Sequence, residues 1–238
     1  VNAGEARRLV IEASHALSAA GQADMVWGHV AVRDPEGRGI WIKAPGWGWE
    51  ELEETYEQRL QLVSYEAEVL QGTGAPHKEC HIHLELLKAA PELICTVHTH
   101  AVSAIAFASL GHQLRPISHE GALFAGEDVP RFRSTGGLVS TPALGKALAA
   151  ELGNAPAALM PRHGLVAAGT SVPAAVMHAV LLERACAVQL KAMAAGEIRV
   201  QSSRTEAMGK RAECWPDSQL EAGYRYLVRR SARPLPGC

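Results

Sequence analysis

The chain has 238 residues, 47% of them hydrophobic, and a formal net charge of −2 with both signs scattered, so it can bury a sizeable core and gives no reason to expect a nucleic-acid or anionic-membrane partner. No apolar run is long enough to span a bilayer, and the start, Val1-Asn-Ala-Gly-Glu-Ala-Arg-Arg, lacks the apolar core of a secretion signal. Five widely spaced cysteines without a Cys-x-x-Cys pair argue against a disulfide framework or a thiolate zinc site, and the expected location is cytoplasmic.

In chain order, residues 6–19 read as a helix, with Leu9, Val10, Ala13 and Leu17 at helical spacing and an end toward Gly21. Residues 25–33 and 39–43 read as strands around Asp34-Pro-Glu-Gly-Arg-Gly, a hairpin signal. Residues 60–71 suggest a short connecting strand region, and 79–90 a helix with Ile82, Leu86 and Leu87 on one side. A buried strand follows at 94–100, then a short helix at 103–110. Residues 123–124, 133–138 and 157–161 supply strand or loop, with a helix at 144–152 and a strand at 165–168. Residues 173–194 form a long Ala-rich helix, apolar almost all round, which must be covered on several faces. An oligomer interface would cover it; so would a thick monomer core. With no repeats or linker, residues 1–197 read as one α/β domain, a central sheet flanked by helices. From Ile198 the chain turns polar and Arg-rich, so 198–238 is expected to be an extension lying on the domain or on a neighbouring subunit.

The chemistry concentrates in histidines. In Ile94-Cys-Thr-Val-His-Thr-His, strand alternation sends His98 and His100 to the same face, where two imidazoles can grip one ion. His163, before Gly164, offers a third nitrogen. Three imidazoles leave an open position on a four-coordinate ion, which suits a catalytic rather than a structural site. Glu79 lies in His77-Lys-Glu-Cys-His-Ile-His and shares a helix face with His83 one turn on. It can complement the helix dipole, or serve as a resting ligand and proton shuttle. Cys80 or Cys95 is a less favoured nucleophile than a small core residue. Trp47 and Trp49 could wall a planar substrate or simply fill the core.

These residues, with Gly28-His-Val-Ala-Val-Arg, Ala44-Pro-Gly, Thr141-Pro-Ala-Leu-Gly-Lys, Arg162-His-Gly-Leu-Val and Leu182-Glu-Arg-Ala-Cys, resemble the class II aldolase/adducin family over residues 5–197. The resemblance implies a three-layer fold on a mixed sheet and a homotetramer with its site near a subunit interface. It makes His98, His100 and His163 the metal ligands, with zinc favoured over manganese, cobalt or iron, and Glu79 the catalytic carboxylate.

The departures from the family pattern are informative. Family aldolases hold phosphate with an Asn, a Thr and a Ser-Ser pair; here those places hold His29, Lys43 or Ala44, and His77-Lys78. Charged donors suit a carboxylate and their bulk removes room for phosphate. The aldolases' proton-donating tyrosine is replaced in Ile117-Ser-His-Glu-Gly by His119 or Glu120. The chain is therefore most similar to the branch that decarboxylates hydroxylated aromatic acids such as dihydroxyphthalates. That likeness implies that the metal stabilises the negative charge left on oxygen as carbon dioxide departs. Glu79 or His119 would deliver the proton, and His29, Lys43, His77 and Lys78 would hold the small aromatic carboxylate. An aldolase or epimerase for a non-phosphorylated sugar or oxo acid is the alternative, and a non-catalytic adducin-like domain is disfavoured by the intact ligand set.

Overall fold

The computed structural model describes residues 2–53, 55, 57–126 and 128–232. Helix α1 (Ala3–Ala19) is started by Asn2, whose side chain accepts the Glu5 N–H. The sheet is built from β1 (His29–Arg33), β2 (Gly39–Lys43), β3 (Leu60–Ser64), β4 (Val69–Gln71), β5 (Cys95–Thr99), β6 (Ala157–Met160) and β7 (Gly164–Gly169). Their spatial order is β4-β3-β2-β1-β5-β7-β6. Every ladder between these strands is antiparallel, and the parallel pairing is confined to a bridge between Arg131 and Leu159.

The remaining helices are α2 (Cys80–Ala89), α3 (Val102–Leu110), α4 (His119–Leu123), α5 (Pro142–Leu152), α6 (Val172–Ala195), α7 (Arg204–Cys214) and α8 (Asp217–Ser231). Alternation along the strands divides the core. One face carries Val30, Val32, Cys95, Val97, Leu165 and Ala167 toward α1, α3, α6 and α8. The other carries Ala31, Ile40, Ile42, Val63, Val166 and Ala168 toward α2 and α5. The result is the expected α/β domain with helices on both faces.

Several boundaries differ from expectation for identifiable reasons. Residues 25–28 are not strand: Met25 (φ 49°) and Gly28 (φ 68°) lie in the left-handed region, and the Trp27 N–H closes a turn onto the Asp24 carbonyl. Residues 60–71 split into β3 and β4 about a turn where Ala67 has φ 66°. Leu123 ends a short helix capped by Ser118, and 133–138 contains no strand. The apolar α6 is covered within its own chain by α1, α3, α8 and the sheet, so its composition carries no argument for an oligomer. Within residues 198–232, α8 lies on α1 and α6 of the same chain, burying Leu220, Tyr224 and Leu227. The Arg-rich stretch at Arg229 and Arg230 is its solvated last turn, and Cys238 lies outside the described residues.

Candidate metal centre

One end of the sheet gathers the chemistry. His98 is the penultimate residue of β5 and His100 follows the strand, both on the α2 face. β1 begins at His29, paired with His98. His163 precedes β7, on a backbone where Arg162 holds φ 67°, an uncommon conformation for a residue with a side chain. Gly164 permits the close approach of β7 to β5, since a Cβ there would stand 2.2 Å from the Thr99 carbonyl oxygen. Gly28 is equally constrained: at φ 68° its Cβ would lie 2.8 Å from Trp49 Cζ2 and 3.1 Å from the His98 carbonyl oxygen. Glu79 is the residue on which α2 starts.

Glu79, His98, His100 and His163 each turn one donor atom inward, all within 4.8 Å of one another. The Glu79 carboxylate lies 3.5 Å from His163 Nε2 and 3.9 Å from His98 Nε2, and its Oε1 accepts the Val139 N–H at 2.8 Å. The far nitrogens are held from outside: His98 Nδ1 donates to the Leu165 carbonyl (2.9 Å) and His100 Nδ1 to Asp24 Oδ2 (2.8 Å). Those bonds leave Nε2 of each ring unprotonated and aimed at the common centre. Both His98 Nε2 and His163 Nε2 are buried without a hydrogen-bond partner. Orphaned buried nitrogens ringed by a carboxylate fit a divalent cation, and the nitrogen–oxygen donor set suits zinc, manganese, cobalt or iron.

Burial works to raise the Glu79 carboxyl, but the His163 imidazole 3.5 Å away, the field of His98 and the Val139 N–H overcome it and hold it down at about 2. Burial pushes His98 well below the usual imidazole range, with His163 adding to the effect. His29 is lowered strongly by burial and then by His77 and His83, while burial takes His77 down to about 4 and His83 to about 3.

A cavity of about 460 Å³ opens beside this centre, lined by Trp27, Pro45, His77, Lys78, Glu79 and Leu138 among others. A cleft of about 500 Å³ bounded by Phe124, Glu151, Arg204 and Arg211 contains none of the candidate residues. His29 lies buried behind the first cavity, its ring centroid 4.2 Å from that of His77 and 5.2 Å from that of His98. Lys78 is exposed at the rim. Lys43 is different: its buried Nζ donates to the Val26 (2.5 Å) and Trp47 (3.0 Å) carbonyls, pinning the two loops that frame the mouth. Burial brings its amine down to about 8, against a small opposing effect of Glu51.

Other expectations change. His119 is exposed on α4, with Nδ1 3.3 Å from Cys214 Sγ and its carbonyl bonded to Trp215; its own chain does not bring it to the centre. Trp49 is a core residue whose indole N–H bonds the Trp27 and Gly28 carbonyls, and Trp47 is stacked under Arg59. The aromatic at the cavity is Trp27 instead. Burial raises the Cys80 thiol to about 11 and raises Cys95 further, which removes both as nucleophiles. Asp24, Thr96, Val139 and Leu138 escaped the sequence reading; of these only Thr96, two residues before His98 on the same face, had a signal in strand alternation.

A layered α/β fold that brings three imidazoles and a carboxylate together at a sheet end defines a candidate metal-dependent protein. The family model for the class II aldolase and adducin N-terminal domain matches residues 8–190, and the chain belongs to that family. It is 31% identical over 199 residues to a 3,4-dihydroxyphthalate decarboxylase of Terrabacter sp. (strain DBF63), covering 80% of this chain and 82% of that one. It is 29% identical over 197 residues to the meiotically up-regulated gene 14 protein of Schizosaccharomyces pombe, covering 78% of this chain and 74% of that one. Among solved structures it resembles the L-fuculose 1-phosphate aldolase of Glaciozyma antarctica PI12, with a TM-score of 0.83 and 25% identity over 96% of this chain and 89% of that one.

Proposed function

We propose that this protein is a metal-dependent carbon–carbon lyase that decarboxylates a hydroxylated aromatic carboxylic acid of the dihydroxyphthalate type. The observation that carries the reading is the cluster of Glu79, His98, His100 and His163 donors, of which Glu79 and His100 line a cavity flanked by Trp27, Pro45, Pro76 and Leu138. Flat apolar sides above a polar floor suit a planar ring with oxygen substituents at one edge. The likeness to the Terrabacter decarboxylase supports it.

His98, His100 and His163 would hold the ion, with Glu79 as a resting ligand that yields its place to substrate, and zinc is the first choice for three imidazoles with an open position. When bound, a divalent ion supplies Lewis-acid stabilisation for negative charge developing on a substrate oxygen. The rest falls to the chain. Trp27 and Leu138 exclude water from the ring, and Lys78 at the rim meets a carboxylate on entry. Loss of carbon dioxide leaves an electron pair that takes up one proton at the ring carbon. Glu79, ionised at rest, is the group of this chain placed to take the proton of the substrate hydroxyl and pass it to that carbon, since its carboxylate lines the cavity and faces both His98 and His163. His119 takes no part from its own chain; a role would require a neighbouring subunit, and a homotetramer is the assembly we expect.

The test is carbon dioxide release from dihydroxyphthalates by protein loaded with zinc, manganese, cobalt or iron, together with its mass by light scattering. Release that disappears in His98→Ala and Glu79→Gln supports the assignment. No release, with aldehyde formed from hydroxy-keto substrates, makes the protein an aldehyde-lyase instead.

A further inference from the structure

His29, His83 and Thr96 form a buried chain of hydrogen bonds beneath the metal donors. Thr96 Oγ1 lies 2.7 Å from His83 Nδ1, and His83 Nε2 lies 2.6 Å from His29 Nδ1. All three residues are 0% exposed. The chain crosses from β5 through α2 to β1, so it is tertiary and not an accident of neighbouring sequence. It stops at His29 Nε2, a buried atom with no hydrogen-bond partner.

Proton accounting gives the chain a direction. The bond to His83 is the one hydrogen bond that Thr96 Oγ1 makes among the described residues. If the hydroxyl donates to His83 Nδ1, then His83 Nε2–H donates to His29 Nδ1, and His29 carries its proton on Nε2. Every proton but that last one is then satisfied. The reverse direction strands the buried Thr96 hydroxyl proton as well as the His29 Nε2 lone pair. Each direction leaves one buried donor unmet, but the reverse leaves a buried acceptor unmet as well, so the first arrangement is favoured.

We propose that Thr96 and His83 fix His29 as the Nε2–H tautomer, and that this N–H binds a carboxylate oxygen of the substrate beside the metal donors. The ring of His29 is bordered by His77 and His98, so the carboxylate would sit where these three rings meet. His77 Nδ1 is also buried without a partner, which offers a contact for the second carboxylate oxygen. A neutral donor to an anion makes a charge-assisted hydrogen bond, about twice as strong as one between neutral groups. His29 is then a binding residue that selects for a carboxylate, and His83 and Thr96 are positioning residues. The inference rests on the lyase reading for the identity of the ring, and its test does not depend on turnover.

Zinc-loaded, histidine nitrogen-15-labelled protein is examined by NMR, with the His29 signals assigned by their absence in His29→Asn. Nε2 protonated and Nδ1 bare is the expected result; the opposite tautomer overturns the proposal. In parallel, calorimetry measures binding of protocatechuate and catechol, which share a diol and differ by one carboxylate. The wild-type protein should prefer protocatechuate. Thr96→Val should cut that preference about tenfold while leaving catechol affinity unchanged, and Thr96→Ser should restore it. An unchanged preference overturns the proposal, because the N–H then serves only a buried water. Equal loss of both ligands also overturns it, since the hydroxyl is then merely structural. Intact discrimination without carbon dioxide release would refute the lyase reading and leave the carboxylate subsite standing.

Discussion

Asp24 offers a direct test of the metal centre, because it touches only the outer nitrogen of one candidate ligand. Its Oδ2 accepts from His100 Nδ1 at 2.8 Å, which fixes the ring so that Nε2 faces the other donors. Removing such an outer partner commonly costs ten- to a hundredfold in metal affinity. The Asp24 side chain is 35% exposed and that of His100 23%, so water screens the pair and can replace part of the lost bond. The expected loss for Asp24→Ala is therefore at the low end, about tenfold or on the order of 1.4 kcal/mol. Asp24→Asn keeps an oxygen acceptor in the same place and should lose less than about threefold. The assay is competition for zinc against a chromophoric chelator, with metal content measured after dialysis. Wild-type affinity in Asp24→Ala would refute the proposed ligand role of His100. An Asn variant as weak as the Ala variant would show that charge, not the oriented hydrogen bond, is what matters.

Three further outcomes are expected. Metal-free protein should lose stability as pH falls from about 6.5, because buried His83 and His77 titrate near 3 and 4 when folded but near 6.5 when unfolded. The unfolded chain binds more protons in that window, so stability is complete above it and declines through it. A flat melting temperature between pH 7 and 5 would contradict this, and His83→Gln should shallow the slope. Lys43→Met should orphan the Val26 and Trp47 carbonyls and cost about 1–3 kcal/mol in urea unfolding, whether or not metal is present. Leu220→Ala, in the helix that closes the core over α1 and α6, should cost about 2–4 kcal/mol by the same measurement; a cost under 0.5 would mean that α8 is dispensable.

The sequence carried the site better than its surroundings, for physical reasons. His98 and His100 were legible because strand alternation is a strict geometric rule, and Glu79 and His83 because helical spacing is another. Asp24 was not legible, since nothing local links it to a histidine 76 residues later. Val139 contributes a backbone N–H, which no side-chain pattern can announce. For Lys43 the sequence shows the charge but not the Val26 and Trp47 carbonyls that occupy its amine. Residues 198–232 looked polar because α8 presents a narrow buried stripe of Leu220, Tyr224 and Leu227 within a strongly charged helix. The tryptophans are a matter of direction: four fall within residues 27–49, and only the fold decides that Trp27 meets the cavity while Trp49 fills the core.

The charges around the cavity bear on the ligand's own charge. Burial drives His29, His77, His83 and His98 down, so this crowd of imidazoles supplies oriented donors and acceptors without adding positive charge. The formal charges around it are the carboxylates of Glu79, Asp24 and Glu51 and the amines of Lys43 and Lys78, one more negative than positive. A divalent cation in the centre would therefore leave the site with an excess of about one positive charge. In a partly buried cavity such an excess is felt more strongly than in water, and it favours an anionic ligand over a neutral one. The proposed aromatic carboxylate meets that requirement and a neutral sugar does not, so affinity for a charged over an uncharged ligand of the same ring should fall when the metal is removed.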